Sequence, residues 1–288
     1  MAGRRVLITG CADGGLGASL VLSFRKAGSH VFAAGLDVNE MTEAKAAGAH
    51  TMTLDVTSQE SIDKCLVEVE RLTGGSLDIL VNNAGRNYGM PVVDIDLPEM
   101  RTLFEVNVYP IISVTRAFLP LLRRAQHGNP VLVNNASVQS LVPLPFDGAY
   151  DASKAAAAML TSVLRLELDP FGIRVVDLKT SGVKSQIHSF KASATRQLPP
   201  NSIYSFAKAE LEAMFRGAGK VESAIPASTW ANTVVKSILR SSPPATVWAG
   251  GEATKIRLAQ WFPQFITDHM LKQVSGIYKL RKSIRASS

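Results

Sequence analysis

Residues 4–28, RRVLITGCADGGLGASLVLSFRKAG, decide the fold. The apolar run to Thr9 has strand character, and the stretch from Gly10 to Gly17 holds four glycines. From Ala18 onward apolar residues return at helical spacing. Glycines let a backbone approach a pyrophosphate, and the helix that follows offers unpaired N–H groups and a positive dipole end. Gly10, Gly14, Gly15, Leu16 and Gly17 are therefore the first candidate cofactor-binding residues. Strand-like segments recur at 30–39, 50–62, 77–85, 131–136, 171–180 and 245–250, separated by helical patterns. The expected fold class is α/β, a doubly wound parallel sheet of about seven strands with helices on both faces.

Composition agrees with one globular domain, 1–288, since 46% of the residues are hydrophobic. Cys11 and Cys65 are too few for a disulfide framework and are expected to be reduced and structural, which suits a cytoplasmic location. The chain enters a strand at once, with no apolar segment of signal-peptide length. The stretch 103–122 is the best candidate for a membrane span, but it carries Glu105 and Arg116, so none is expected. A net charge of +7 raises nucleic acid as a partner, yet the basic residues match no binding motif and no nucleic-acid partner is expected. No metal site is expected either.

The chemistry concentrates at SVQSLVPLPFDGAYDASK, residues 137–154. Ser137 follows the strand VLVNNA, at the edge where open α/β sheets bind ligands. Tyr150 and Lys154 lie four apart at the start of an Ala- and Leu-rich helix, so both face one way. A tyrosine of ordinary pKa, about 10, is a poor acid or base at neutrality. A lysine ammonium beside it is expected to favour the phenolate and lower that value. A serine hydroxyl at the same point holds a carbonyl or alcohol oxygen while the phenol gives or takes its proton.

Ser137 followed by Tyr150-x-x-x-Lys154 resembles the short-chain dehydrogenase/reductase family, and the other motifs follow the family's order along the chain. The resemblance implies a single-domain Rossmann fold and an NAD(P)-dependent oxidoreductase acting on CH–OH and C=O groups. The family's T-G-x-x-x-G-x-G is met by Thr9, Gly10 and Gly14, with a turn one residue longer that brings in Gly15 and Gly17. Asp55-Val56 matches the adenine-binding pair, and Asn83, Ala84 and Gly85 match residues that line the cofactor, with Asn82 bracing the sheet. Asn107 matches the family's catalytic asparagine, which completes a proton relay, within a long helix over 100–125 bent by Pro110. Val183 and Ser185 match contacts to the nicotinamide end, although Thr180-Ser181 replace the usual Pro-Gly. Lys154 would also bind the nicotinamide ribose.

The choice between NAD and NADP stays open. Gly35 and Leu36 stand where the family carries its deciding acid or arginine. Asp37, one residue later, and Asp13 would repel a 2′-phosphate and lean to NAD. Asp37 reads equally as a helix cap before 39–47. Details such as RLELDPFGIRVVDLKTSGVKS resemble the fungal branch of acyl-dihydroxyacetone-phosphate reductases and secondary-metabolite reductases, which leans to NADP.

The segment 186–225, with a helix over 202–217, matches the family's substrate lid. Ile203, Phe206, Met214 and Phe215 there suggest a lipophilic substrate. The extension 251–288 places Trp261, Phe262, Phe265, Ile266, Met270 and Leu271 in short helices broken at Pro263, ahead of a basic tail at 277–288. A cover over the pocket or a subunit contact is the first reading, and peripheral contact with an acidic membrane the second. Relatives suggest a homo-oligomer, dimer or tetramer. The expected activity is ketone–alcohol interconversion on a lipophilic molecule in fungal secondary or lipid metabolism. Its rivals are an isomerase, dehydratase or cyclase using the same site, and a non-catalytic dinucleotide-binding scaffold.

Overall fold

The computed structural model describes residues 3–185, 196–215 and 224–287. β1 (Arg5–Thr9) passes through the glycine turn into α1 (Leu16–Lys26), and β2 (His30–Gly35), α2 (Thr42–Ala46) and β3 (His50–Thr53) follow. Then come α3 (Gln59–Thr73), β4 (Ile79–Asn82), α4 (Leu97–Asn107), α5 (Tyr109–Leu122), β5 (Val131–Asn135), α6 (Gly148–Glu167) and β6 (Arg174–Ser181). The lid segment holds α7 (Lys208–Phe215), and α8 (Ala227–Ile238) and β7 (Thr246–Gly250) follow it. Three further helices follow, α9 (Ala253–Ala259), α10 (Gln264–Val274) and α11 (Ile277–Ser287). The strands form one seven-stranded sheet in the order β3-β2-β1-β4-β5-β6-β7, parallel throughout. Strand order reverses between β1 and β4, and the crevice beyond their C-terminal ends is where such a sheet takes a ligand.

Alternation along each strand divides the core. Val6, Ile8, Val131 and Val133 join Leu20, Phe24, Trp230 and Val234 on the face covered by α1 and α8. Leu7, Leu80 and Leu132 point the other way, against Ile62, Val69, Val114 and Phe118 of α3 and α5. Each such side chain taken fully out of water contributes about 1.5–3 kcal/mol, which fixes the register because a one-residue slip would turn every one to the wrong face.

Local signals set the helix ends. Ser58 caps α3 by accepting from Ser61 N–H, and Gly74 ends it in the left-handed region at φ 64°. The predicted single helix over 100–125 is instead two. The backbone breaks at Val108 (φ −117°, ψ −57°), and Pro110 lies in the first turn of α5, where no N–H is required. The break leaves Asn107 as the last residue of α4, beside α6.

The lid also differs from its reading. A short 3-10 turn, Ser205–Ala207, precedes α7, and residues 186–195 and 216–223 lie outside the described part. Of the four apolar lid residues only Phe215 is buried; Ile203 is 70% exposed, and Phe206 and Met214 also face outward. The apolar wall facing Tyr150 comes from Leu198, Ala207, Leu211 and Phe215 with Tyr88, Met90 and Phe146.

Candidate active site

The crevice is built on polar links across the strand ends. Asn83 Nδ2 donates to Thr9 O (2.9 Å) and Gly10 O (3.1 Å), while Asn135 Nδ2 donates to Asn83 Oδ1 (2.9 Å). Thr180 Oγ1 donates to Asn135 Oδ1 at 2.6 Å, so one row joins β1, β4, β5 and β6. A deeper row runs from Asn82 to Asn134 (2.9 Å) and on to Thr161 (3.0 Å), the bracing expected of Asn82. The Asn83 side chain is thus committed to the sheet, and only its backbone and those of Ala84 and Gly85 remain to line a ligand.

The glycine turn has the shape a dinucleotide requires. Gly10 has φ +72°, and a Cβ there would lie 2.7 Å from Ala84 Cα. A Cβ on Gly17 would meet Gly10 O at 2.2 Å, so α1 can pack close against the strand only with glycine there. Gly15 stands at the N-cap of α1, followed by Leu16, with no side-chain cap and no acid in the first turn. The N–H groups and positive dipole end of α1 are therefore available to a pyrophosphate, and these residues fit a dinucleotide.

Beside α2 both carboxylates act as caps. Asp37 Oδ1 accepts from Asn39 N–H at 2.8 Å and starts a 3-10 turn, so its reading as a cap holds. Asp13 accepts from the N–H groups of Thr42 (2.8 Å) and Glu43 (3.0 Å) at the start of α2. Burial is the largest single influence and opposes ionisation, yet the bonds from Thr42 and Glu43 together outweigh it and hold the Asp13 carboxyl below its ordinary range, so it is charged at neutral pH. Asp55 Oδ1 is taken by Thr57 N–H and Oγ1, beside Val56. Val183 follows β6 in a two-residue ladder with Ile225, and Ser185 comes directly after on the same edge. Cys11 and Cys65 are free and buried, and burial pushes both thiols up to about 12.

The four predicted catalytic residues come together. Ser137 opens a 3-10 turn at the end of β5; its Oγ accepts from Gln139 N–H at 3.1 Å, donates to Thr180 O at 3.4 Å, and lies close enough to the Tyr150 phenol to favour its ionised form. Tyr150 lies in the first turn of α6, and Lys154 Nζ is 5.7 Å from the centre of its ring. Nζ donates to Asn135 O at 2.9 Å. Asn107 Nδ2 donates to Ser153 Oγ and Arg86 O, both at 3.0 Å, and its Oδ1 accepts from Arg86 N–H. A Cβ on Gly85 would lie 3.2 Å from Asn107 Oδ1 and 3.6 Å from Lys154 Nζ, so the missing side chain keeps space beside both.

One electrostatic expectation is overturned. Burial raises the Tyr150 phenol above the ordinary tyrosine value; the Ser137 hydrogen bond lowers it, and Asp147 and Asp151 raise it further. Lys154 is turned to the Asn135 carbonyl, and its own value falls to about 8 through burial, against a pull upward from Asp177. The phenol is consequently a protonated acid across the neutral range.

Sequence reasoning passed over the polar groups that hold this arrangement. Gln139 Nε2 donates to Asp147 (3.2 Å) and Asp151 (3.0 Å), and Asp151 Oδ2 accepts from Leu144 N–H at 2.7 Å. Burial raises Asp147 to about 6 and Asp151 to about 7. Lys179, paired with Asp177 at 2.8 Å, donates to Ser140 Oγ (2.6 Å), which donates to Ser137 O (2.6 Å). The signal was present in two acids flanking Tyr150 and in a charged pair inside the strand RVVDLKTS.

The fold and the site define a class. Residues 4–196 match the family described as short chain dehydrogenase, and the chain belongs to the short-chain dehydrogenase/reductase family. It is an NAD(P)-dependent oxidoreductase of that family. A short-chain dehydrogenase/reductase of Pestalotiopsis microspora is 38% identical over 287 residues, covering 99% of each chain. An NADPH-dependent 1-acyldihydroxyacetone phosphate reductase of Schizosaccharomyces pombe is 34% identical over 275 residues, 91% of this chain and 90% of that one. Among solved structures, a short-chain dehydrogenase from Streptomyces avermitilis superposes with a TM-score of 0.75 at 26% identity, covering 100% of this chain and 99% of that one. No helix among the described residues is long and apolar enough to cross a membrane.

Proposed function

We propose that the protein interconverts a ketone and a secondary alcohol on a lipophilic small molecule. The observation that carries this reading is the meeting of Ser137, Tyr150, Lys154 and Asn107 around Gly85, next to Ala84, which packs on Gly10 of the glycine turn. When bound, the nicotinamide cofactor supplies or accepts the hydride. Ser137, held by Gln139 N–H, orients the reacting oxygen. Tyr150 gives that oxygen its proton in reduction and removes it in oxidation. Lys154 would hold the nicotinamide ribose and, with Asn107, the route by which the phenol regains its proton. A phenol that stays protonated is suited to the reductive direction at neutral pH.

Leu198, Leu211, Phe215, Tyr88 and Met90 give the substrate side an apolar wall, which supports a lipophilic substrate of the kind found in lipid or secondary metabolism. The charged Asp13 and the neighbouring Asp37 favour NAD, whereas the printed name of the fission-yeast relative specifies NADPH. We assign the chain to NAD on local charge, to be tested by titrating both reduced cofactors. Met159, Val163 and Leu166 leave an exposed apolar row along α6, which supports a homo-oligomer formed through that helix; sedimentation velocity tests it.

Turnover with cofactor deuterated at the transferred position tests the reaction itself. Label in the product is the expected result; unlabelled product would mean isomerisation, dehydration or cyclisation at the same site. Tyr150→Phe is expected to lower kcat by about 10²–10⁴-fold while cofactor affinity stays within about threefold. Undiminished turnover would remove Tyr150 from the mechanism.

A further inference from the structure

The charge of this protein is very unevenly placed. Residues 253–288 contain seven Lys and Arg against the single Asp268, a net +6, while the whole chain carries +7. The remaining 252 residues are thus nearly neutral. The same terminal segment holds the most exposed apolar side chains. Trp261 is 86% exposed, Val274 81% and Phe265 74%, with Leu258, Phe262 and Met270 also facing outward. Leu258, Trp261, Phe262 and Phe265 lie across the junction of α9 and α10 at Pro263, and Arg257 and Trp261 line one shallow hollow. No residue of α10 is buried, so that helix contributes little to the core.

A helix with no buried residue, partly covered only at Ile266, Thr267, Asp268 and Leu271 and carrying aromatic and aliphatic side chains beside basic ones, is costly in water unless something covers it. We propose that α9, α10 and α11 dock on an anionic lipid bilayer, with Trp261, Phe262 and Phe265 entering the interface and Lys272, Arg281 and their neighbours facing acidic headgroups. Charge selects this occupant. A second copy of the chain would bring two surfaces of +6 together. Aliphatic Leu258, Met270 and Val274 suit hydrocarbon rather than nucleotide bases. The docking surface also adjoins the catalytic side: Ile277 and Leu280 of α11 pack on the cluster that contains Tyr150, Tyr88 and Phe146. A lipophilic substrate dissolved in the bilayer would then have a short route to the site, a consequence that rests on the proposed function, whereas docking itself does not.

Co-sedimentation of the full chain with phosphatidylcholine vesicles, with and without phosphatidylserine, tests the inference. Binding is expected on the acidic vesicles, to weaken with salt, and to be at least tenfold lower on phosphatidylcholine alone, since each basic side chain near an anionic surface is worth about fivefold. Trp261→Ala with Phe265→Ala, and separately Lys272→Glu with Arg281→Glu, should each lower the partition coefficient by about tenfold or more while NAD(P)H binding in solution is unchanged. Equal, weak sedimentation with both vesicle types would overturn the proposal. So would a shift from dimer to monomer in the Trp261/Phe265 variant without any vesicle binding by the parent, which would assign the surface to a second copy. Loss of turnover with vesicle binding intact would count against the enzymatic reading and leave docking standing.

Discussion

Lys154 is a buried cation, and its replacement by methionine separates stability from catalysis. A lysine whose value in the folded chain is about 8, against an ordinary 10.5, retains its charge at neutral pH at a cost of about 3 kcal/mol. Lys154→Met removes that cost but leaves Asn135 O without its 2.9 Å donor, a penalty of about 1–3 kcal/mol. The two nearly cancel, so the variant should be as stable as the parent, or up to about 2 kcal/mol more stable, at about pH 6.5. The pH dependence is sharper. Because the folded value lies below the unfolded one, the unfolded chain holds the extra proton between them, and parental stability rises with pH through about 8 to 10.5. Methionine has no such proton. Between about pH 6.5 and 9.5 the parent should gain about 2 kcal/mol on the variant. Urea unfolding, followed through tryptophan emission at both pH values, measures the difference directly. A gap that stays constant within a few tenths of a kcal/mol would refute a buried, proton-releasing Lys154.

Other expectations follow from the same geometry. Gly10→Ala forces a left-handed backbone and a backbone clash near Ala84, and should cost about 2–4 kcal/mol with loss of cofactor binding, read by thermal melting and titration. Asp147 and Asp151, raised to about 6 and about 7, stabilise the fold below their unfolded values and lose that contribution as pH rises through those points. Stability contributed by this pair should therefore fall between about pH 4 and 7, and Asp151→Asn should flatten the decline in a series of urea melts. Gln139→Ala frees the Ser137 turn from both carboxylates and is expected to lower kcat about tenfold with cofactor affinity intact, since positioning alone is lost. Gln139→Asn in its place should retain part of that rate if positioning is the role; a rate as low as that of the alanine variant with a collapsed melting temperature would make it purely structural.

How much of this was readable beforehand depended on the range of the forces involved. The strands and the glycine turn are set by alternation and by residues with only one steric solution, such as Gly10 and Gly17, so they stand out along the chain. Ser137, Tyr150 and Lys154 sit on one strand–turn–helix unit, and their approach follows from helical spacing. The break at Val108 was hidden because Pro110 is compatible with both a bent helix and a new one. The protonation of Tyr150 depends on burial and on where Lys154 points, and the ammonium's turn toward Asn135 O is a tertiary event. Asp37 was readable as a cap, since an acid before a short turn explains itself locally. Lys179 and Asp177 lie in a strand whose neighbours are apolar, and their tie to Ser140 spans distant sequence. The lid was misread for a similar reason: apolar residues such as Ile203 lie on the outer side of a segment whose inner side is chosen by packing against Phe146 and Tyr150.

The row Thr9–Asn83–Asn135–Thr180 is made of neutral amides and hydroxyls. Ionic strength does not loosen such ties, and acid or base within the working range does not add or remove a proton from them. The groups above it, Lys154, Asp147 and Asp151, do exchange protons in that range. Titration can therefore retune the reactivity of the cleft while its bed keeps one shape, so kinetic responses to pH should arise with no matching change in the amide-exchange protection of the strand ends.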